Sequence, residues 1–281
     1  MIAPRKCIFA PAIFMLAAMI CSFALPAAAV RPEDRVFVQQ GNMPILLTAP
    51  HGGNQAIPGI ERRVGNAYVN PNSPRFAAGR DSGTFELAQR IARKIHAANG
   101  RNVYTVLAQF QRYQIDANRA AHFAYESPLA APYYDYYHAS IRRFVDEIRR
   151  QYPNAMLLDI HGQHTHPQAL ERGTVNGLTV EHLLKRAGPR AVTGADGLFG
   201  QFEARGIAVF PSNALSVYGK AENGGHNGGH TVATYGSHRA EGIDAFQLEF
   251  GTALRLTETL EDVAERAAKA ILRFYDVHVA R

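Results

Sequence analysis

Five short apolar runs, each bounded by turn-forming residues, alternate along the chain with longer segments of helical period. The runs are Pro44 to Ala49, Val103 to Ala108, Ala155 to Ile160, Ile207 to Phe210 and Ala245 to Phe250. A run that is apolar on both faces suits a strand covered on both sides, and the helical segments between the runs supply the covers. The predicted helices are Gly83 to Ala98, with Leu87, Ile91 and Ile95 four apart, and Tyr134 to Tyr152, with Tyr137, Ile141, Phe144 and Ile148 on one face. A third runs from about Leu260 to Val277 and carries Val263, Ala267, Ile271 and Phe274. The fold class that follows is α/β, a three-layer αβα arrangement around a mostly parallel or mixed central sheet. The stretches Gly52 to Arg80 and Ala214 to Glu241 are rich in Gly, Pro and Asn and are predicted to be loops carried on that sheet.

Composition narrows the class of function. The 281 residues are 47% hydrophobic and 19% charged, a globular balance that excludes collagen-like, coiled-coil and disordered chains. The formal charge of +6 is modest, and no block of five or six like charges occurs, which argues against a nucleic-acid partner. Residues 1–29 read as a signal peptide. Arg5 and Lys6 precede an apolar run from Cys7 to Leu25, and Pro26-Ala27-Ala28-Ala29 supplies the small-residue exit before Val30. The run approaches the ~20 residues that span a bilayer, so an uncleaved anchor is the alternative. The Ala-rich exit and the lack of a basic stop-transfer cluster favour cleavage, and Ile20 stands where a lipid anchor at Cys21 would need a small residue. The expectation is an exported protein, periplasmic or extracellular, with no stable membrane anchor after cleavage and with residues 30–281 as a single catalytic domain. Both cysteines fall inside the signal, so disulfides, thiol nucleophiles and cysteine metal sites are excluded from the remainder.

Ligands of open parallel sheets gather beyond the carboxyl ends of strands. The run ILLTA leads into Pro50-His51-Gly52-Gly53, and AMLLDI leads into His161-Gly162-Gln163-His164. Either histidine alone is as well read as a satisfied polar residue, but two strand-end His-Gly pairs in one chain point to a shared metal. Zinc bound through imidazole and carboxylate is the expected ion. His164 and His166 are rival donors. For the carboxylate, Asp81 competes with its own fitness as a helix N-cap, and Glu61 is the fallback. Asp116-Ala117-Asn118-Arg119 follows the second run; the Arg119 fork suits a substrate carboxylate and Asn118 can add a donor, the alternative being a structural Asp-Arg pair. The run Glu222 to His230 is glycine-dense and polar enough to close over a ligand, which makes Gly228, Gly229 and His230 candidate substrate contacts. In AFQLEF, alternation sets Gln247 and Glu249 on one strand face, where Glu249 is either a surface acid or a catalytic one. No phosphate loop, G-x-S-x-G or H-E-x-x-H occurs.

Taken together, TAPHGG, RDSGTFELA, YQIDANRA, LLDIHGQ, NGGHTVATYG and FQLEF, spread from Thr48 to Phe250, resemble the N-formylglutamate amidohydrolase family, a branch of the metallocarboxypeptidase-like hydrolases. The resemblance implies a metallocarboxypeptidase/phosphorylase-hydrolase-like fold and a zinc hydrolase that cleaves an N-acyl amide of an amino acid. It places His51, Asp81 and His161 at the metal positions, Glu249 as the catalytic carboxylate, and Asn118 with Arg119 on the substrate carboxylate. Position 54 is Asn54, so the His-x-x-Glu spacing of the related carboxypeptidases is absent and the ligand carboxylate falls to Asp81 or Glu61. The leading expectation is an exported zinc amidohydrolase acting on a small molecule or short peptide that bears a carboxylate. The alternatives are a zinc carboxypeptidase, cell-wall peptide or poly-γ-glutamate hydrolase, and a non-catalytic binding protein for small carboxylates.

Overall fold

The structure, a computed structural model, describes residue 1 and residues 30–68, 73–213 and 226–280. The expected signal segment and the start of the glycine-dense run, residues 222–225, lie outside the described residues. A seven-stranded sheet organises the rest. Its strands are β1 (Val36–Gln39), β2 (Ile45–Ala49), β3 (Tyr104–Ala108), β4 (Met156–Gln163), β5 (Ala169–Gly173), β6 (Ala208–Phe210) and β7 (Asp244–Gly251), in the spatial order β1-β3-β2-β4-β7-β5-β6. The pairs β3/β2, β2/β4, β4/β7 and β5/β6 are parallel, whereas β1/β3 and β5/β7 are antiparallel.

Helices cover both faces. They are α1 (Thr84–Asn99), α2 (Ala121–Ala124), α3 (Ala131–Gln151), α4 (Glu181–Ala187), α5 (Arg190–Thr193), α6 (Leu198–Glu203), α7 (His230–Tyr235) and α8 (Leu260–His278). Leu87, Ile91 and Ile95 of α1 pack with Val263, Ala267 and Ile271 of α8 and with Leu47 and Leu158 of the sheet in one core. Burying each of the three α1 side chains contributes roughly 1.5–3 kcal/mol. On the opposite face Tyr137, Ile141, Phe144 and Ile148 of α3 join Val232 and Tyr235 of α7, Leu46 and Leu157 in a second core. The three-layer α/β architecture with a mixed sheet is therefore the one the periodicity implies. Among the described residues no helix is long and apolar enough to cross a membrane.

Two strands and a helix depart from the sequence expectation. β1 is an edge strand of four residues, and β5 carries Glu171 and Arg172 fully inside the protein, so its composition resembles a loop. The stretch expected to be loop through Glu241 contains α7, because Val232 and Tyr235, three apart, are drawn onto α3. From β2 the chain passes to β3 on one side and to β4 on the other. The resulting crevice at the carboxyl ends of β2 and β4 is where such sheets hold ligands.

Candidate metal centre and catalytic site

His51 leaves the end of β2 and His161 lies on β4, and their rings meet edge to face with centroids 4.8 Å apart. Asp81 stands between them. Its Oδ2 is 3.3 Å from Nδ1 of His51 and 3.3 Å from Nδ1 of His161, and it accepts the Gly162 N–H at 3.1 Å. Together the three side chains place one potential ligand atom each within 4.8 Å of one another, and all three are buried. The segment holding Asp81 is folded back on His51: the Asp81 N–H donates to the His51 carbonyl, and Arg80 Nε donates to the Gly52 carbonyl at 2.7 Å. Gly83, not Asp81, is the N-cap of α1, so the competing capping role is not taken by the Asp81 side chain. Glu61 and His164 are exposed.

Each imidazole is gripped from behind. Nε2 of His51 contacts Asp116 Oδ1 at 2.6 Å, and Nε2 of His161 contacts Asp159 Oδ2 at 2.8 Å. A carboxylate accepts only, so Nε2 of each ring donates to the acid behind it, and the Nδ1 atoms that face Asp81 would turn their lone pairs to a metal ion held between them. This is how proteins fix the tautomer of a metal-binding histidine. Asp159 is itself held by the Thr48 hydroxyl at 2.6 Å, and Asp116 by Arg112 Nε at 3.2 Å. Arg112 Nη1 also reaches Asp81 Oδ1 at 3.2 Å, so one guanidinium ties a metal-position carboxylate to an orienting one. Two imidazoles and a carboxylate match the protein ligands of a catalytic zinc that keeps a fourth position open. The donor set therefore fits zinc.

The charges are mutually supporting. Burial opposes ionisation of Asp81, yet hydrogen bonds from His161 and His51 hold its carboxyl well below the usual carboxylate range. Burial likewise opposes a charged His161, but Asp159 and Asp81 outweigh it and push the imidazole well above its ordinary value. Glu249 behaves oppositely. Burial in the sheet raises its pKa despite the nearby His161, whose Nδ1 is 4.0 Å from Glu249 Oε1. Gln247, two residues earlier on the same strand face, donates to Glu249 Oε1 at 2.9 Å. A buried carboxyl with a raised pKa beside the cluster is placed to take and return a proton.

Asn118 is spent on architecture. Its Oδ1 accepts the Thr231 N–H at 2.8 Å, and its Nδ2 lies 3.2 Å from His161 Nε2. A Cβ at Gly229 would lie 2.1 Å from the Asn118 side chain, so that glycine is needed for the approach. Arg119 sits half-buried. Nη1 donates to the Asn118 carbonyl at 2.9 Å, Nη2 reaches the Arg75 carbonyl at 3.4 Å, and Nε is buried without a partner. Among the described residues no carboxylate pairs with it, so the alternative of an Asp116–Arg119 ion pair is not what forms. His230 lies beside it, 3.4 Å from the Tyr134 hydroxyl, its pKa lowered by burial and by Arg119. Gly228 bends in the left-handed region at φ 115°. His166 and His226 both turn to Glu171, at 2.6 and 2.7 Å. Reading the sequence missed Asp116, Asp159, Arg112 and Glu171. For Asp159 the signal was present, since it lies two residues before His161 on the same strand face.

A buried cluster of two imidazoles and a carboxylate with an acid alongside, at the strand ends of a three-layer α/β sheet, is the donor set that a metal-dependent hydrolase centre requires. Residues 124–256 match the profile of the N-formylglutamate amidohydrolase family, and the match supports an amidohydrolase, a hydrolase acting on amide bonds. Among solved structures, N-formylglutamate amidohydrolase from Ralstonia eutropha JMP134 is similar with a TM-score of 0.59 at 14% identity, covering 87% of this chain and 98% of that one. A gene product from Agrobacterium tumefaciens is similar with a TM-score of 0.57 at 13% identity, covering 86% and 95%. At these identities the likeness establishes the shared fold. No curated protein matches the chain significantly.

Proposed function

We propose that this chain is an exported, zinc-dependent amidohydrolase that cleaves the N-acyl amide of a carboxylate-bearing amino acid. The observation that carries the reading is the convergence of His51 Nδ1, His161 Nδ1 and Asp81 Oδ2 beside Glu249. His51, Asp81 and His161 would hold the ion. When bound, zinc supplies a Lewis acid that polarises the scissile carbonyl and acidifies a water. Glu249 accepts a proton from the attacking water and delivers it to the departing nitrogen; the water oxygen bonds to the acyl carbon, the carbon–nitrogen bond breaks, and an acid and an amine result. Asp116 and Asp159 keep the two rings in register through the cycle, and Gln247 holds the Glu249 carboxyl in place. The Arg119 guanidinium, lacking a carboxylate of its own, pairs with that of the substrate and fixes the amide over Glu249. Export rests on the reading of residues 1–29.

The test is metal analysis of the purified protein joined to hydrolysis assays on N-formyl, N-acetyl and aminoacyl derivatives of glutamate and other amino acids, with and without chelator. About one zinc per chain and chelator-sensitive release of the free amino acid are expected. Full activity after complete metal removal would sink the zinc reading, and inertness toward every amide would sink the enzyme.

A further inference from the structure

His161, Glu249 and Glu171 occupy one row across three adjacent strands. His161 is the register partner of Glu249, and Glu249 is the register partner of Glu171. Glu171 is in turn paired with Phe210 on β6, whose ring stacks on His166 with centroids 3.8 Å apart. Neighbouring strands are ~4.8 Å apart, so the row continues from the metal position through the catalytic acid to Glu171 in equal steps. Glu171 has no place in the mechanism above. It is fully buried, and each of its oxygens holds Nδ1 of a different imidazole, His166 and His226.

A carboxylate accepts, so both rings donate through Nδ1, and when neutral each keeps its lone pair on Nε2. Both histidines are about one-third exposed, and among the described residues no partner meets either Nε2. Glu171 therefore presets two hydrogen-bond acceptors at the end of the row. Acceptors of this kind favour an N–H or O–H group and gain nothing from a carboxylate unless protonated.

The strip that carries His226 also fixes which end of a substrate lies there. From His226 on Glu171 the chain passes Gly173, where a Cβ would meet the His226 carbonyl and the Gly228 nitrogen at 2.5 and 2.6 Å. It arrives at Asn118, which receives the Thr231 N–H. It thus runs from β5 to the loop after β3 that bears Arg119, across the line of the site. With Arg119 on the amino-acid carboxylate at one end, the acyl group points to the other.

We propose that His166 and His226, positioned by Glu171, form an acyl-side subsite that selects acyl groups bearing an N–H donor, as aminoacyl and peptidyl groups do. The inference rests on the amidohydrolase reading and narrows its substrate class toward peptide-like amides. The test compares formyl-, acetyl- and glycyl-glutamate on the intact protein, its His166→Ala and His226→Ala variants, and Glu171→Gln. The glycyl substrate should be preferred over acetyl in kcat/KM. Each His→Ala change should erase roughly a 10- to 100-fold share of that preference, the scale of a hydrogen bond from the charged glycyl ammonium, with kcat on the formyl substrate little changed. Glu171→Gln should raise KM for the glycyl substrate more than it lowers kcat on the formyl one. Formyl hydrolysis with no glycyl preference, or equal losses on all three substrates, overturns the subsite and leaves the amidohydrolase standing. Should no amide be cleaved, the amidohydrolase reading fails, and calorimetric binding of a ketomethylene isostere of glycyl-glutamate still decides the subsite: affinity unchanged by His226→Ala and His166→Ala refutes it.

Discussion

His51 and His161 present the same atom, Nδ1, to the same oxygen of Asp81, yet the acids behind them come from different distances in the chain. Asp159 is two residues from His161 on a single central strand. Asp116 is 65 residues from His51 and reaches it from the loop after β3. The first pair is fixed by strand geometry, because period two puts both side chains on one face. The second depends on how that loop is fastened, by Arg112 on Asp116, by His138 on the Ala117 carbonyl at 3.0 Å and by Asn118 under α7. One arm is supported by a strand and the other by loop anchoring. A symmetric site has been built from unequal parts, and disturbance should enter through the His51 side.

The largest effects should show no asymmetry. His51→Ala and His161→Ala should each reduce zinc content well below one per chain and drop activity to the level of chelated protein; retention of full zinc by either variant would remove that histidine from the ligand set. Glu249→Gln should keep the metal and the fold but lower kcat by ~10²–10⁴-fold, the usual share of a positioned acid-base group. Wild-type turnover in that variant would remove Glu249 from the mechanism. Asp116→Asn and Asp159→Asn are where the arms should part. Loss of an orienting carboxylate costs ~10–100-fold in metal affinity, and Asp116→Asn should lie at the upper end, since it also removes the ion pair that fastens Arg112, the residue that holds Asp81. Equal losses would mean the two supports are equivalent.

Arg119→Lys should raise KM for carboxylate-bearing substrates and spare amide-capped ones, because a point charge cannot reproduce the fork. Similar losses on both would make Arg119 structural. The smallest effect concerns His138, whose pKa burial and His230 hold down to about 4. The folded protein refuses a proton that the unfolded chain binds below its ordinary value near 6.5. Stability from this group is therefore complete above about 6.5 and declines as the pH falls toward 4, by at most about 1.4 kcal/mol per pH unit. His138→Gln should flatten the acid limb of a Tm-against-pH curve, and an unchanged limb would show that His138 does not govern it.

The same contrast explains what could be read from the chain. β2, β3, β4, β6 and β7, with α1, α3 and α8, announce themselves through periodicity because their neighbours are apolar. β5 does not, since Glu171 and Arg172 are buried by virtue of partners that composition cannot name. His51, His161 and Asp81 were marked by their glycine-flanked or strand-end settings, and the structure brings them together. Asp81 read equally well as a helix cap, and only the fold-back onto His51 decides against it. Asp116 looked like a partner for Arg119 and proves to serve His51. Pairings across 65 residues leave no local trace, whereas pairings across two leave a pattern.

The position of β7 bears on how the protein comes to exist. It is the last strand in the chain, yet it lies in the middle of the sheet, between β4 and β5. Until residues 244–251 have emerged during synthesis, β4 and β5 each expose a row of unpaired backbone groups, and the sheet remains two fragments. Exposed edges of this kind invite pairing between chains. A nascent copy is thus most vulnerable just before completion, and it closes in one late, non-local step that also delivers Glu249. Truncation ahead of Asp244 should yield an insoluble product rather than a smaller folded one, while chains released whole need no such protection.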